Sequence, residues 1–164
     1  MKNADQSAMS VGRQAVGLGL WLLLCFSASA TAAFVKMDDW YTELVKPTWN
    51  PPGWLFGPVW TVLYAMMAVA AWMVWRRGGW RSNGLALGAF MVQWVLNVLW
   101  TPLFFGMHQP GLAFADIVAL WAAIVVTIVL FWKVSRGAAA MLVPYLMWVS
   151  FAAVLNLTIW QLNA

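Results

Sequence analysis

Five long apolar stretches follow one another along the chain, and each is long enough to form a helix that crosses a membrane. They cover about residues 14–35, 53–75, 84–105, 111–132 and 138–162. A membrane-spanning helix needs about 20 mostly apolar residues, whereas barrel strands show alternating segments of about ten residues. The pattern therefore predicts an all-α membrane protein, with residues 1–164 forming a single domain built as a five-transmembrane-helix bundle.

Composition excludes most other classes of protein. Hydrophobic residues make up 64% of the 164 positions, charged residues make up 9%, and 14 residues are tryptophan. A soluble domain usually has about 25% charged residues, a disordered chain is far less hydrophobic, and a single cysteine cannot form a disulfide scaffold. The formal charge of +4 is too small and dispersed to favour a nucleic acid. The expected environment is therefore a lipid bilayer.

Basic residues are distributed unevenly between the two sides of the predicted bundle. The N-terminus and the second and fourth loops contain seven of them: Lys2, Arg13, Arg76, Arg77, Arg81, Lys133 and Arg136. The opposite side has only Lys36 and Lys46, both in the first loop. Cytoplasmic loops carry the excess of Lys and Arg, so the N-terminus is predicted to be cytoplasmic and the first loop and C-terminus to lie on the other side. Whether the membrane is an inner or an outer one is left open.

The first apolar stretch has an alternative interpretation as a cleaved signal peptide. Arg13, the apolar run after it and the segment Ala28-Ser29-Ala30 resemble such a signal. The run continues to Val35, however, which is long enough to span a membrane and favours a retained helix. Both interpretations place the first loop outside.

The first loop, residues 36–52, is the longest connection between predicted helices. Its sequence, KMDDWYTELVKPTWNPP, combines charged, aromatic and proline residues. Prolines restrict the backbone, and a loop of this length in a small protein is usually functional or disordered. The composition favours an ordered lid, and the alternative is a loop that merely anchors tryptophans at the interface.

Polar residues inside the predicted spans gather in the outer half of the membrane, beneath this loop. Asp116, Asn156 and Asn97 lie about 7–12 Å in from the outer ends of their helices, at 1.5 Å per residue. An intramembrane carboxyl is a candidate functional group. Asparagines also commonly join neighbouring helices by hydrogen bonds, and Asp116 could alternatively cap or line the start of the fourth helix.

The tryptophans divide in the same way. Most lie near a predicted membrane boundary, where an aromatic belt is expected. Trp60 and Trp148 lie deeper, each within two turns of a proline that can open space between helices. An aromatic-walled cavity suits a flat, hydrophobic, polycyclic ligand. A porphyrin fits this description, with its propionates near Lys36 and Lys46, and a sterol is the alternative.

Four segments resemble, in order, the TspO/MBR family of tryptophan-rich sensory proteins and translocator proteins. They are WYTELVKPTWNPPGWLFGPVWTVLYAMMAVA at 40–70, QWVLNVLWTPLFF at 93–105, AFADIVAL around Asp116, and PYLMWVSFAAVLN at 144–156. The resemblance covers about residues 15–162. It implies a five-helix bundle, usually a homodimer, with a ligand pocket closed by the first loop.

The resemblance also implies ligands and a set of pocket residues. Members of the family bind porphyrins such as protoporphyrin IX, haem and benzodiazepine-type compounds, so a porphyrin or haem is expected as a ligand, with no obligatory cofactor. The pocket residues carried over by motif are Trp40, Tyr41, Trp60, Asn97, Asp116, Trp148 and Ala152. The cholesterol motif of the animal members needs a basic residue after an aromatic one in the fifth helix, and none follows Tyr145. Sterol binding through that motif is therefore not expected.

A glycine pair predicts where two copies of the chain would meet. Gly84 and Gly88 form a GxxxG pattern at the predicted start of the third helix, and such patterns allow helices to approach closely. The family resemblance implies a dimer interface along the same helix.

Three functions remain open at this point. The first is a receptor or sensor that binds porphyrins and related flat hydrophobic ligands and transports or delivers them. The second is an enzyme for light- and oxygen-dependent porphyrin degradation, although no conventional catalytic set is visible and no catalytic residue is predicted. The third is a haem protein with His108 as axial ligand. A lone loop histidine is more often a surface residue, so no metal ligand is predicted.

Overall fold

The computed structural model describes residues 9–34 and 39–164, and within these ranges the regular structure is helical, with no strand. Five helices are long and apolar enough to cross a membrane: Val11–Thr31, Gly53–Trp75, Gly79–Gly106, Pro110–Val134 and Arg136–Leu162, called below the first to fifth spans. These confirm the predicted all-α membrane fold. The helices within and between them are α1 (Val11–Ser27), α2 (Ser29–Phe34), α3 (Asp39–Glu43), α4 (Phe56–Trp75), α5 (Gly79–Thr101), α6 (Pro110–Val134), α7 (Arg136–Met141) and α8 (Val143–Leu162).

The predicted helix boundaries need correction in the first and third spans. The first span begins at Val11 rather than at residue 14, because Ser10 caps it by accepting a hydrogen bond from the Arg13 N–H. Its predicted end at Val35 lies outside the described residues. The third span begins at Gly79 rather than at residue 84, and it bends at Asn83, whose φ is −122°.

Two further irregularities interrupt the spans. The fifth span is broken at Leu142, between α7 and α8, just before Pro144. Proline has no N–H to donate and its ring clashes with the preceding turn, so a helix tends to break or kink there. The third span ends in a π-helical turn, Pro102–Gly106, in which the Met107 N–H donates to the Pro102 carbonyl at 2.8 Å. The loop predicted over 36–52 also contains the short helix α3.

The two ends of the bundle differ in chemistry. The basic end is the end with Arg76, Arg81 and Arg136, and the loop end is the end with residues 39–52. At the basic end, guanidinium groups lie over indole rings in three pairs: Arg13 over Trp75, Arg76 over Trp72, and Arg136 over Trp132. Cation–π contacts of this kind suit side chains at a membrane interface.

Small residues bring the helices close together in the half of the bundle near the basic end. Ala68 and Ala71 of the second span and Ala138 and Ala139 of α7 are completely buried. The ring of Trp75 packs against the backbone at Gly17, where no side chain is present to hold it away. Close approach of backbones is the usual source of helix association within a bilayer, so this half of the bundle is tightly packed.

Candidate functional site

The loop that follows the first span packs its aromatic side chains onto the end of the third span. Trp40 stacks on the His108 ring, with centroids 4.3 Å apart, and contacts Phe104 edge-to-face at 5.8 Å. Tyr41 packs against Phe104 and Phe105. Burial raises the pKa of the Tyr41 hydroxyl above its usual value, so this group stays protonated at neutral pH. Trp40 and Tyr41, both predicted site residues, therefore help to close the loop end of the bundle.

A polar side chain at the end of the fifth span holds the same loop. The Val45 N–H donates to Asn163 Oδ1 at 2.9 Å, and Asn163 Nδ2 donates back to the Val45 carbonyl at 2.9 Å. Asn163 Nδ2 also donates to the Ile159 carbonyl at 2.8 Å. Asn163 was not predicted from the sequence, where an asparagine after an apolar span looks like an ordinary helix end.

Beneath the loop, three spans meet in a buried polar cluster centred on Asn97. The Tyr64 hydroxyl of the second span donates to Asn97 Oδ1 at 3.2 Å, and Asn97 Nδ2 donates to the Tyr145 hydroxyl of the fifth span at 3.1 Å. Trp60 stacks on Tyr64, with centroids 5.1 Å apart, and contacts Tyr145 edge-to-face at 6.2 Å. The structure thus brings the predicted residues Trp60 and Asn97 together through two tyrosines.

Neither tyrosine was predicted as a site residue. The sequence did contain an indication of their role, because a tyrosine deep in an apolar span needs a hydrogen-bond partner for its hydroxyl. An amide can serve two hydroxyls at once by accepting from one and donating to the other, as Asn97 does here.

Asn156 joins helices, as one of the two interpretations of the buried asparagines proposed. It accepts from the Trp100 indole N–H at 3.0 Å and donates to the Pro110 carbonyl at 2.9 Å. A backbone carbonyl has two lone pairs, so a carbonyl within a helix can accept a hydrogen bond from a side chain as well. Asn156 therefore ties the fifth span to the third and fourth.

Trp148 lies on the side of the fifth span that faces the second, and Ala152 follows it one turn farther along the helix. Trp148 contacts Phe56 edge-to-face at 5.7 Å and Phe151 at 5.5 Å, and Ala152 is partly buried against the core. A groove of about 320 Å³ lies beside them between the second and fifth spans, lined by Val59, Leu63, Pro144, Met147, Trp148 and Phe151. Its lining is almost entirely apolar.

Asp116 is half-buried, and it does not lie at the N-cap position of the fourth span. The fourth span begins at Pro110 and its N-cap is Gln109, so Asp116 lies well inside the helix and does not cap it. Asp116 Oδ2 is buried without a hydrogen-bond partner among the described residues. No hydrogen bond joins this carboxyl to Tyr64, Asn97 or Tyr145 among the described residues.

A second unpartnered group was not predicted as a site residue. Gln93 lies one helical turn from Asn97, toward the basic end, and is only 1% exposed. Both polar atoms of its amide lack a partner among the described residues. A buried amide without hydrogen bonds costs about 1–3 kcal/mol, so Gln93 is an energetically expensive residue at the centre of the bundle.

Gly84 and Gly88 lie on the outer surface of the third span. A Cβ atom added at either position would meet nothing within 4 Å, and the adjacent Leu85 is 77% exposed. A shallow groove of about 280 Å³, lined by Met91, Val92, Val95 and Leu96, lies farther along the same helix. The helix thus presents a surface on which a second helix could pack closely.

Comparison with known proteins identifies the family. The model of the TspO/MBR family matches residues 17–161. The chain is 47% identical over 158 residues to the tryptophan-rich protein TspO of Chlorobaculum tepidum, covering 93% of this chain and 99% of the relative. It is 40% identical over 147 residues to the protein CrtK of Rhodobacter capsulatus, covering 88% and 91% of the two chains.

An animal protein is similar over a comparable length. The translocator protein of Sus scrofa is 41% identical over 151 residues, covering 91% of this chain and 89% of the relative. The family match spans all five apolar helices, and the relatives are matched over nearly their full lengths. The chain is therefore an integral, multi-pass membrane protein that belongs to the TspO/MBR family of membrane sensor and translocator proteins.

Proposed function

We propose that this protein is a membrane receptor that binds porphyrins, such as protoporphyrin IX and haem, under the loop formed by residues 39–52, and transports or delivers them. The observation that carries the proposal is the aromatic and polar arrangement at the loop end. Trp60 and Trp148 offer flat apolar faces, and the amide of Asn97 lies among the rings with its two tyrosine partners. Such a combination suits a flat ligand with a few polar atoms.

Binding requires some movement of the loop end. The groove of about 320 Å³ between the second and fifth spans lies beside the site rather than within it, and its volume is near the lower end of the range of about 300–1,000 Å³ for ligand pockets. The Trp60 ring is packed against Tyr64 and Tyr145. A porphyrin would therefore enter by separating the fifth span from the second and replacing ring–ring contacts with contacts to its own face. The Lys46 ammonium lies 4.5 Å from the centre of the Tyr41 ring and donates to the Thr42 and Leu44 carbonyls; it would exchange these carbonyl partners for a propionate near the loop.

Titration of the protein in nanodiscs with protoporphyrin IX tests the proposal. Tryptophan emission should be quenched saturably, and Trp60→Ala or Trp148→Ala should raise Kd about tenfold or more, which corresponds to about 1.4 kcal/mol. Trp132→Ala, at the basic end, is the matched control and should leave Kd unchanged. Non-saturable quenching, or equal affinity in all three variants, contradicts the proposal.

A homodimer formed along the third span is part of the same proposal. The open surface at Gly84 and Gly88 supports it, because side chains there would hold two helices apart. Gly84→Leu with Gly88→Leu should convert a dimer to a monomer in analytical ultracentrifugation in detergent. Gly19→Leu is the control on the first span, at a glycine that also has nothing within 4 Å of an added Cβ. A wild-type monomer, or a dimer that survives the double substitution, refutes this interface.

The orientation belongs to the proposal as well. The concentration of basic residues at one end supports a cytoplasmic basic end and an outward-facing loop end. Single cysteines introduced at Arg81 and at Glu43, in a Cys25→Ala background, should react with a membrane-impermeant maleimide from opposite sides. Labelling of both from the same side excludes this topology.

A further inference from the structure

The second and fifth spans are close together at the basic end and separate toward the loop end. At the basic end, the second span packs along α7, and a Cβ atom at Gly137 would already meet the Met73 side chain at 3.3 Å. Beyond the break at Leu142, α8 makes few contacts with the second span. The groove lies between α8 and the second span, in this less closely packed part.

The groove faces the bilayer. Its lining comes entirely from two membrane spans, and Met147, at its edge, is 67% exposed. In an integral membrane protein, this surface is covered by hydrocarbon rather than by water. Whatever enters the groove therefore comes from the hydrophobic interior of the membrane.

The groove also reaches the candidate site. Trp148 lines the groove and contacts Phe56 and Phe151 beneath the loop. On the second span, the groove residues Val59 and Leu63 directly precede Trp60 and Tyr64, which belong to the Asn97 cluster. Only a layer of side chains therefore separates the bilayer from the buried polar cluster.

The loop end, by contrast, is closed in several ways. Trp40 stacks on His108, and the Val45 backbone forms two hydrogen bonds with the Asn163 side chain. Entry from the aqueous side would have to break these contacts, whereas entry through the groove leaves them intact and instead parts the second and fifth spans beside flexible side chains such as Met147.

We propose that the groove between the second and fifth spans is a lateral entrance through which a flat hydrophobic ligand, dissolved in the bilayer, passes into the site beneath the loop. Met147 and Phe151 stand at its outer edge, and Trp148 separates it from the site. The inference rests on the proposed function and adds the route of entry and the source of the ligand, which is the membrane rather than the aqueous phase.

Binding kinetics distinguish an entrance from a binding contact. A residue on the route affects the barrier in both directions, so its substitution changes the association and dissociation rates by the same factor and leaves Kd unchanged. A residue that contacts the bound ligand changes Kd. Met147→Trp fills the edge of the groove with a bulky side chain on an exposed position, where it does not disturb the core.

The experiment uses the full chain in nanodiscs with protoporphyrin IX already dissolved in the lipid, and the association and dissociation rates are obtained from fluorescence relaxation after a temperature jump at several ligand-to-lipid ratios. Met147→Trp should slow association and dissociation about tenfold each, and Met147→Ala should accelerate both. Val126→Trp is the matched control, on a 51% exposed position of the fourth span away from the groove, and should leave the rates unchanged. Asn163→Ala, which frees the loop, should change the association rate less than twofold.

The outcomes separate failure of the route from failure of the proposed function. Absence of saturable binding by the wild-type protein refutes the proposed function and the entrance with it. Saturable binding with unchanged rates in both Met147 variants refutes the entrance alone. Faster association in Asn163→Ala refutes it in favour of entry at the loop end, and a changed Kd in Met147→Trp refutes it by assigning Met147 to the binding surface.

Discussion

The hydrogen-bonded cluster at Asn97 allows a quantitative prediction about stability. Asn97 is 7% exposed and forms two hydrogen bonds, one with Tyr64 and one with Tyr145. Asn97→Leu keeps a similar volume but leaves both hydroxyls without this partner. Hydrogen bonds between membrane helices contribute about 0.6 kcal/mol on average and up to about 1.7 kcal/mol. Loss of two therefore lowers the free energy of unfolding by about 1–3 kcal/mol.

Smaller and larger changes to the same cluster should follow a defined order. Tyr64→Phe removes one hydrogen bond and should cost about half as much as Asn97→Leu. The triple variant Tyr64→Phe, Asn97→Leu, Tyr145→Phe leaves no polar group unpaired within the cluster. Because replacing both partners of a buried hydrogen bond by apolar groups is nearly neutral, the triple variant should recover most of the stability lost in Asn97→Leu.

Reversible unfolding in mixed micelles of mild detergent and SDS, followed by far-ultraviolet circular dichroism, gives the free energies. The double variant Tyr64→Phe, Asn97→Leu completes a cycle, and the difference between its effect and the sum of the two single effects measures the coupling between Tyr64 and Asn97. A coupling energy of zero refutes the cluster as described. So does a triple variant that is less stable than Asn97→Leu, since the tyrosine hydroxyls would then have other partners.

Three further predictions use the same unfolding assay or hydrogen exchange. Gly17→Ala should destabilise by about 1–3 kcal/mol because its methyl group collides with Trp75, whereas Gly19→Ala, which meets nothing, should be neutral or stabilising; equal effects would contradict the close packing. Gln93→Leu should stabilise by about 1–3 kcal/mol, since it removes a buried amide without partners; destabilisation would show that the amide is satisfied. Asn163→Ala should accelerate amide exchange in residues 39–52 severalfold, and unchanged exchange would show that other contacts hold the loop.

The sequence predicted the number and approximate position of the spans because hydrophobic length alone determines what crosses a bilayer. It did not predict where the helices break. The bend at Asn83 depends on a hydrogen bond from its amide to the Val74 carbonyl at 3.1 Å, a contact between two spans. The break at Leu142 precedes a proline, but prolines within membrane helices are often tolerated without one.

The candidate site was predicted in part. Trp60 and Asn97 were recognised from depth and residue type, and the structure places them in one cluster. Tyr64 and Tyr145 were missed because the pairing of hydroxyls with an amide requires knowing which faces of three helices meet. Asn163 was missed, and the absence of hydrogen-bond partners at Gln93 was not predicted, for a related reason: whether a polar side chain has partners depends on its neighbours in space.

The completely buried alanines near the basic end have a mechanical consequence. Where α7 lies against the second span, the two backbones are close together and neither helix can shift far. We therefore expect α8 to pivot about this region. The 20 residues of α8 extend about 30 Å at 1.5 Å per residue. A rotation of about 5° about this pivot moves the far end of such a helix by about 2.6 Å. A small angular adjustment beside the alanines is thus enough to part the rings at the loop end while the rest of the bundle stays assembled.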